Sequence, residues 1–455
     1  MSEAGTSRRR VAMVAAYAAP ALATQFIMAP FTNVLPGMYA KYWGLDMAAI
    51  AAALLLARLF DAVSDPLVGH LSDRTRTRLG ARKPWLMAGF LVTALSAWFV
   101  YVPPASPGFA YFVFWSMAFY LGWTMIEIPH TAWGAEVTQD YTGRNRVFLA
   151  KTVAAVAGTL CMALVPLLPF FETTEMTPDV MRVIALIFLL FGPVCIGFAV
   201  YAAPAGAPAP SSAPSVNIWR FVATILANRP FLRFLSAFLI NGLAAGMNGV
   251  MLYIYIDSYL KLGDKMPYVL GAGVLLGLGG LPVWYAVMQK IGKHKAWSLS
   301  LSLAGASVLM PAFLVPGPEA FLPYMLMFCV LVLCSGAGLV APYSILADVV
   351  DYDSLRSGTQ RAGAYFALFL LFVKANVALG GAIAFALLAA FGYDPALADN
   401  DATAVWGLKA AYAVIPSLLF IASAALLWTY PLNGRRHDIV RRRLEQRRIR
   451  AERAV

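Results

Sequence analysis

Inside the apolar run Ala49–Leu71 stands Arg58-Leu-Phe-Asp61-Ala-Val-Ser-Asp65-Pro66, one guanidinium with two carboxylates. The run is about long enough to cross a bilayer as one helix, which takes roughly 20 apolar residues. Each charge at the bilayer centre costs roughly 2.5–3.5 kcal/mol on insertion scales, so three of them call for a reason. Their spacing puts Arg58, Asp61 and Asp65 on one helical face. An internal Arg–Asp pair that only fixes helix packing is one reading. It needs a single acid, and here there are two. The sharper reading is a cation site on a transport path. A sodium ion or a proton needs hard oxygens; Asp61, Asp65 and Glu127 supply carboxylates, and Ser64 and Thr124 supply hydroxyls.

Further charges lie inside other apolar runs. Asp61 precedes the end of its run at Leu71 by ten residues, and Glu127 precedes Val137 by ten, so both reach the same depth near the midplane. Lys374 lies about three turns into its run, at similar depth, whereas Lys151 is one turn in, near the mouth. Arg58, Lys151 and Lys374 against Asp61, Asp65 and Glu127 set three bases against three acids, the balance a low-dielectric cavity requires. His130, one turn from Glu127, either relays protons or packs. Trp123 and Trp133 either stack a substrate or take lipid-facing or core positions. No Ser-His or two-histidine arrangement accompanies His130, so a transporter is expected and a membrane-embedded enzyme is not.

The elements that hold these residues follow from composition. The 455 residues are 60% hydrophobic and 13% charged, with mean hydropathy +0.70, where a soluble chain carries about a quarter charged residues. The expected class is an all-α polytopic membrane protein. The net charge of +12 sits in short loops and the tail, where topology explains it and nucleic acid is not implied. Cys161, Cys195, Cys329 and Cys334 all fall in apolar runs and show neither a disulfide framework nor metal-ligand spacing. After Ser7-Arg-Arg-Arg10 a first span starts at Val11 and runs uncleaved towards Val34. Spans follow at Ala49–Leu71, Trp85–Val102, Phe109–Val137, Val147–Phe170 and Met181–Ala203. The Pro/Ala/Ser stretch Pro204–Pro214 cannot hold a helix. Six more runs span Phe231–Tyr259, Val269–Gln289, Ala296–Val315, Phe321–Ala347, Gly363–Ala390 and Val405–Tyr430. The layout is therefore a six-helix half over 1–204, a linker over 205–229, a second six-helix half over 230–434, and a tail over 435–455. Alternate loops carry the bases, among them Arg74, Arg76, Arg78, Arg82, Lys83, Arg144, Arg146, Lys290, Lys293, Lys295, Arg356 and Arg361. The positive-inside rule makes those loops and both termini cytoplasmic. The tail interleaves nine arginines with Ile439, Val440, Leu444 and Ile449, which suits either an amphipathic segment on anionic lipid or a solvated basic tail.

Two six-helix halves with a cytoplasmic linker are the plan of major facilitator transporters, whose substrate site lies near the midplane. Gly69-His-Leu-Ser-Asp73-Arg74, continuing through Gly80 to Arg82, resembles that superfamily's loop signature and implies a structural latch at Asp73 and Arg74. Ala57-Arg58-x-x-Asp61-Ala-x-x-Asp65-Pro66 and Gly69-x-x-x-Asp73-Arg-Thr-Arg-Thr-Arg-x-Gly80 resemble the glycoside–pentoside–hexuronide:cation symporters, the melibiose-permease family. Thr124-Met-Ile-Glu127-Ile-Pro129-His-Thr-Ala132, Glu136 to Asp140 with Arg144-x-Arg146, and Asp348-x-x-Asp351-Tyr352 with Lys374 agree with it. The resemblance implies a coupling ion, Na+ or H+, at Asp61, Asp65 and Thr124, and sugar hydroxyls on Glu127. It also implies roles for Lys151 and Lys374 beside the substrate. Asp348, Asp351 and Asp353, at the cytoplasmic end of the tenth span, are read from their position as loop-to-helix ion pairs that gate that side. Three departures matter. A Lys-Asp pair of the first span is replaced by Thr24-Gln25, a stacking aromatic by Thr131, and an asparagine between the two span II acids by Ser64. The expectation is a monomeric inner-membrane symporter for a small polar solute, with no cofactor beyond the coupling ion, working by rocking of the halves. Transport of a lysolipid or other amphiphile is the alternative, kept open by the loss of the sugar-binding aspartate at Gln25.

Overall fold

A computed structural model describes residues 3–137, 141–205, 228–358, 362–432 and 434–453. The linker expected over 205–229 falls largely outside them, as do Asp140, Arg361 and the side chains of Arg144 and Lys374. Among the described residues twelve helical segments are long and apolar enough to cross a membrane, and the chain is a multi-pass membrane protein. The described residues form no strand.

The helices are α1 (Glu3–Asn33), α2 (Leu35–Trp43), α3 (Met47–Arg74), α4 (Lys83–Tyr101), α5 (Phe109–Val137), α6 (Tyr141–Leu164), α7 (Pro178–Ala202), α8 (Arg229–Tyr253), α9 (Met266–Ile291), α10 (Lys293–Leu309), α11 (Phe321–Ser357), α12 (Ala362–Phe391), α13 (Ala402–Lys409), α14 (Ile415–Trp428) and α15 (Gly434–Arg453). Their ends have local causes. Asp46 caps α3, accepting from Ala49 N at 3.1 Å. Gly44 closes α2 at φ 65°, a backbone that needs glycine. The apolar run of the tenth span stops at Ala347, but its helix continues to Ser357 and ends where Gly358 turns left-handed at φ 71°. Loss of apolarity does not end a helix; a terminator does, so Asp348, Asp351 and Asp353 are helical rather than in a loop. Two π-helical turns, Ile254–Tyr259 and Ala410–Val414, extend α8 and interrupt the last span.

The chain divides into two compact units, the first comprising Met1–Ser212, Val250–Val274 and Leu388–Ala404, the second Ala213–Gly249, Leu275–Leu387 and Val405–Val455. In the first unit Tyr17, Tyr39, Tyr101, Phe119 and Trp133 are buried. Phe31 stacks on Phe119 at 4.1 Å, and the Tyr39 hydroxyl donates to Val100 O at 2.9 Å. Close helix crossings rely on missing side chains: a Cβ at Gly158 of α6 would fall on the Leu22 carbonyl of α1, and one at Gly122 of α5 on Thr93 of α4. In the second unit Phe231, Phe234, Phe238, Trp297, Tyr365 and Phe369 form the core. There a Cβ at Gly246 of α8 would lie 2.5 Å from Val377 O of α12. Leu59, Val63, Leu91 and Leu190 face outward, as residues that meet lipid do.

Candidate functional site

Three helices of the first unit, α3, α5 and α6, bring most of the candidate residues together. On α3, Arg58 Nη1 donates to Asp61 Oδ2 at 3.0 Å, and Nη2 donates to the Tyr120 hydroxyl of α5 at 3.2 Å. The guanidinium also lies over the Tyr120 ring, 4.7 Å from its centroid. Asp61 is 2% exposed. One turn on, Asp65 Oδ1 accepts from Thr124 Oγ1 of α5 at 3.0 Å. Ser64 lies between the acids, and its buried hydroxyl has no hydrogen-bond partner among the described residues. Pro66 has no N–H, so the Ala62 carbonyl lacks its usual i+4 donor on the same stretch. Two carboxylates, two hydroxyls and a carbonyl are the hard set a small monovalent cation takes. Among the described residues no three His, Cys, Asp or Glu side chains converge as a site for a metal ion held by such ligands alone.

One turn further along α5, Glu127 Oε1 accepts from Lys151 Nζ of α6 at 2.6 Å. Lys151 also donates to Thr131 Oγ1 at 2.7 Å, and Thr131 donates to Glu127 at 3.2 Å. The Glu127 side chain keeps 30% of its surface accessible, so this triad is open to a solute. Lys151 is thus brought onto Glu127 rather than left apart from it at a mouth. On α1 the Thr24 hydroxyl turns back to Pro20 O at 3.0 Å and is buried, while Gln25 is half-buried.

His130 is a packing residue. Its Nε2 meets Tyr17 O at 2.7 Å, a carbonyl that can only accept, so Nε2 carries the proton and Nδ1 does not in the neutral ring. The Tyr17 hydroxyl donates back to His130 O at 3.0 Å, and the ring is fully buried. Trp133 is equally buried, donating to Pro204 O at 2.9 Å; Trp123 is half-buried.

The latch pairs Asp73 with Arg82, at 2.7 Å, while Arg74 is exposed at the end of α3. Arg82 also donates to Glu136 Oε1 at 2.7 Å and to Ser72 Oγ at 2.9 Å. Burial works against the Arg82 charge, but the Glu136 and Asp73 acceptors outweigh it and hold its pKa above the usual value. In the second unit, Lys293 meets Asp348 at 2.8 Å, and His437 Nε2 lies 3.4 Å from Asp348 and 3.0 Å from Asp351.

The balance drawn from sequence left out charges inside the same runs: the acids Glu136 and Asp257, and the bases Arg182, Arg233 and Lys409. Asp257, in the π-helical turn after α8, is 5% exposed and meets Lys41 Nζ of α2 at 2.6 Å. Within those runs five acids face six lysines and arginines, and the balance of three against three is corrected accordingly. A carboxylate inside the run Phe231–Tyr259 was the available signal; its partner lies on a helix outside the spans.

A profile of the family described as MFS/sugar transport protein matches residues 16–434. The chain belongs to that family. Relatives of this sugar-transport family member include an uncharacterised symporter of Synechocystis, 24% identical, covering 90% of this chain and 93% of the relative. A putative glycoside/cation symporter of Escherichia coli is 23% identical over 95% and 93%. A sodium-dependent lysophosphatidylcholine symporter of Danio rerio is 20% identical over 91% and 85%. Among solved structures, the nucleoside transporter NupG matches with TM-score 0.69 at 11% identity, covering 90% of this chain and 99% of that one. The fold is that of major facilitator transporters.

Proposed function

We propose that this protein is a secondary active symporter of the cell inner membrane that moves a small polyhydroxylated solute, a sugar or glycoside, with Na+ or H+ by alternating access. One observation carries the reading. A single turn of α5 holds Thr124, bonded to Asp65, and Glu127, bonded to Lys151. The cation set and the solute set therefore share one rigid element, so occupancy of one changes the position of the other. Glu127 accepts, Lys151 donates and Thr131 does both, which suits a ring rich in hydroxyls. In this reading both termini are cytoplasmic, which the basic loops support, and one copy of the chain suffices with no cofactor beyond the coupling ion and no catalysis.

The zebrafish relative keeps a second reading open, a lysolipid symporter. The observation that favours it is on α1, where Thr24 is satisfied by its own helix and only Gln25 is left to meet a sugar.

Purified protein in liposomes separates the two. With an imposed Na+ or proton gradient, a glycoside, pentoside or hexuronide from a radiolabelled panel should accumulate above equilibrium. Accumulation of lysophosphatidylcholine alone would select the second reading. Movement of solute that ignores both gradients would defeat symport.

A further inference from the structure

Helix α15, built from the basic tail, lies along the last turns of α11. Val440 is buried, His437 Nε2 lies 3.0 Å from Asp351, and Arg447 Nη1 donates to Leu355 O at 2.6 Å. Between the two helices is a cavity of about 430 Å³, lined by Tyr352 and Arg356 of α11 and by Arg443, Gln446, Arg447 and Arg450 of α15. The three α15 arginines follow one another at offsets of four and three residues, one stripe of the helix. They are exposed, and no carboxylate is among the described residues that line the cavity.

Like charges four residues apart on a helix repel, as Arg443 and Arg447 do on α15. Such an array is stabilised by an anion placed between the forks. Guanidinium matches phosphate with paired N–H donors, and the Tyr352 hydroxyl and Gln446 amide add two neutral donors. We propose that this cavity between α11 and α15 is a binding site for a phosphate-bearing anion. Helix α11 has 37 residues and rises roughly 55 Å, against about 30 Å of hydrocarbon, so its last turns stand clear of the bilayer core. Phosphate can therefore arrive on a lipid headgroup or on a soluble molecule. The bound anion ties α15 to the end of α11.

Two arms test this on the full-length protein. In detergent, inositol hexakisphosphate and pyrophosphate are titrated by calorimetry. In nanodiscs, phosphatidylcholine with and without phosphatidylglycerol is compared by thermal shift. Saturable binding in detergent identifies a soluble phosphate; stabilisation only by phosphatidylglycerol identifies a headgroup. Arg443→Gln/Arg447→Gln should weaken the effect at least about tenfold. Arg441→Gln/Arg442→Gln removes the same charge from outside the cavity and should change it little. If the glutamine pair does not fold, Arg443→Lys/Arg447→Lys keeps charge and helix and should bind several-fold more weakly through loss of the fork. Absence of binding in both arms, equal weakening by both glutamine pairs, or full affinity in the lysine pair overturns the site.

Discussion

Thr124 and Asp65 hold two spans together: the hydroxyl on α5 donates to the carboxylate on α3 across 3.0 Å. Three residues along the same helix, Glu127 is fixed by Lys151. A cation drawn to Asp65 competes for the oxygen that Thr124 occupies, and the turn that carries Thr124 also carries Glu127. The coupling proposed for this protein rests on that shared turn.

Asp61→Asn should abolish uphill accumulation and leave insertion intact. The amide keeps the shape but removes the charge that a cation meets and that Arg58 pairs with at 3.0 Å. The accumulation ratio in proteoliposomes should fall to about one, while counterflow measures any remaining exchange. Concentration of solute to the wild-type level would remove Asp61 from the coupling site.

Glu127→Gln should weaken solute binding at least about tenfold, since hydrogen bonds to a charged group contribute roughly 1.5–3 kcal/mol each. Cation binding should persist. Because α1 offers Gln25 and Thr131 stands where a stacking aromatic is expected, melibiose should bind the wild type poorly. Gln25→Asp should shift preference towards galactosides. Titration of both proteins with melibiose is the check, and tight binding by the wild type contradicts the reading of α1.

Gly158→Val should lower the melting temperature in detergent sharply. Its Cβ would fall on the Leu22 carbonyl, forcing α1 and α6 apart, an overpacking cost of about 1–3 kcal/mol or more. Gly197→Ala is the control, because nothing lies within 4 Å of the added carbon. Equal melting of both variants would show that the crossing tolerates the bulk.

The Lys41–Asp257 pair should show coupling in a double-mutant cycle. Burial opposes the Lys41 charge, but the hydrogen bond and attraction from Asp257 win, and its pKa is raised. A raised value means that the pair stabilises the fold fully below the unfolded lysine pKa of about 10.4 and loses that contribution as pH rises through the folded value. Lys41→Met should destabilise more than Lys41→Met/Asp257→Asn, because the single change strands a buried carboxylate. At neutral pH the interaction energy should be roughly 0.5–3 kcal/mol; additive melting shifts would deny the pair any role.

The candidate site was legible where charge interrupts apolarity. Asp61, Asp65 and Glu127 stand out because a bilayer makes them costly, and equal depth can be counted from the ends of their runs. Lys151 was counted from the apolar run at Val147, but α6 begins at Tyr141, so Lys151 lies ten residues into its helix, as Glu127 lies ten residues from the end of α5 at Val137. Which arginine serves Asp73 was not legible: Arg74 and Arg82 are both in the motif, and only the return of the chain into α4 brings Arg82 to Asp73 and Glu136 together. Tyr120 is one aromatic among many in its span, and nothing local marks it as the ring under Arg58. The fate of His130 depended on Tyr17, 113 residues away. The division into twelve spans needed only apolar length, whereas the true end of α11 depended on Gly358 and not on the charges before it.

The length of α11 has a mechanical meaning. With its midpoint held in the bilayer, a helix of 37 residues is a lever whose Gly358 end swings by roughly half an ångström for every degree of tilt. Helix α15 rides on that end, so small rotations deep in the protein are magnified at the tail. A spin label or fluorophore on the outer face of α15 would act as the needle of a gauge, registering the transport stroke without any probe inside the pathway.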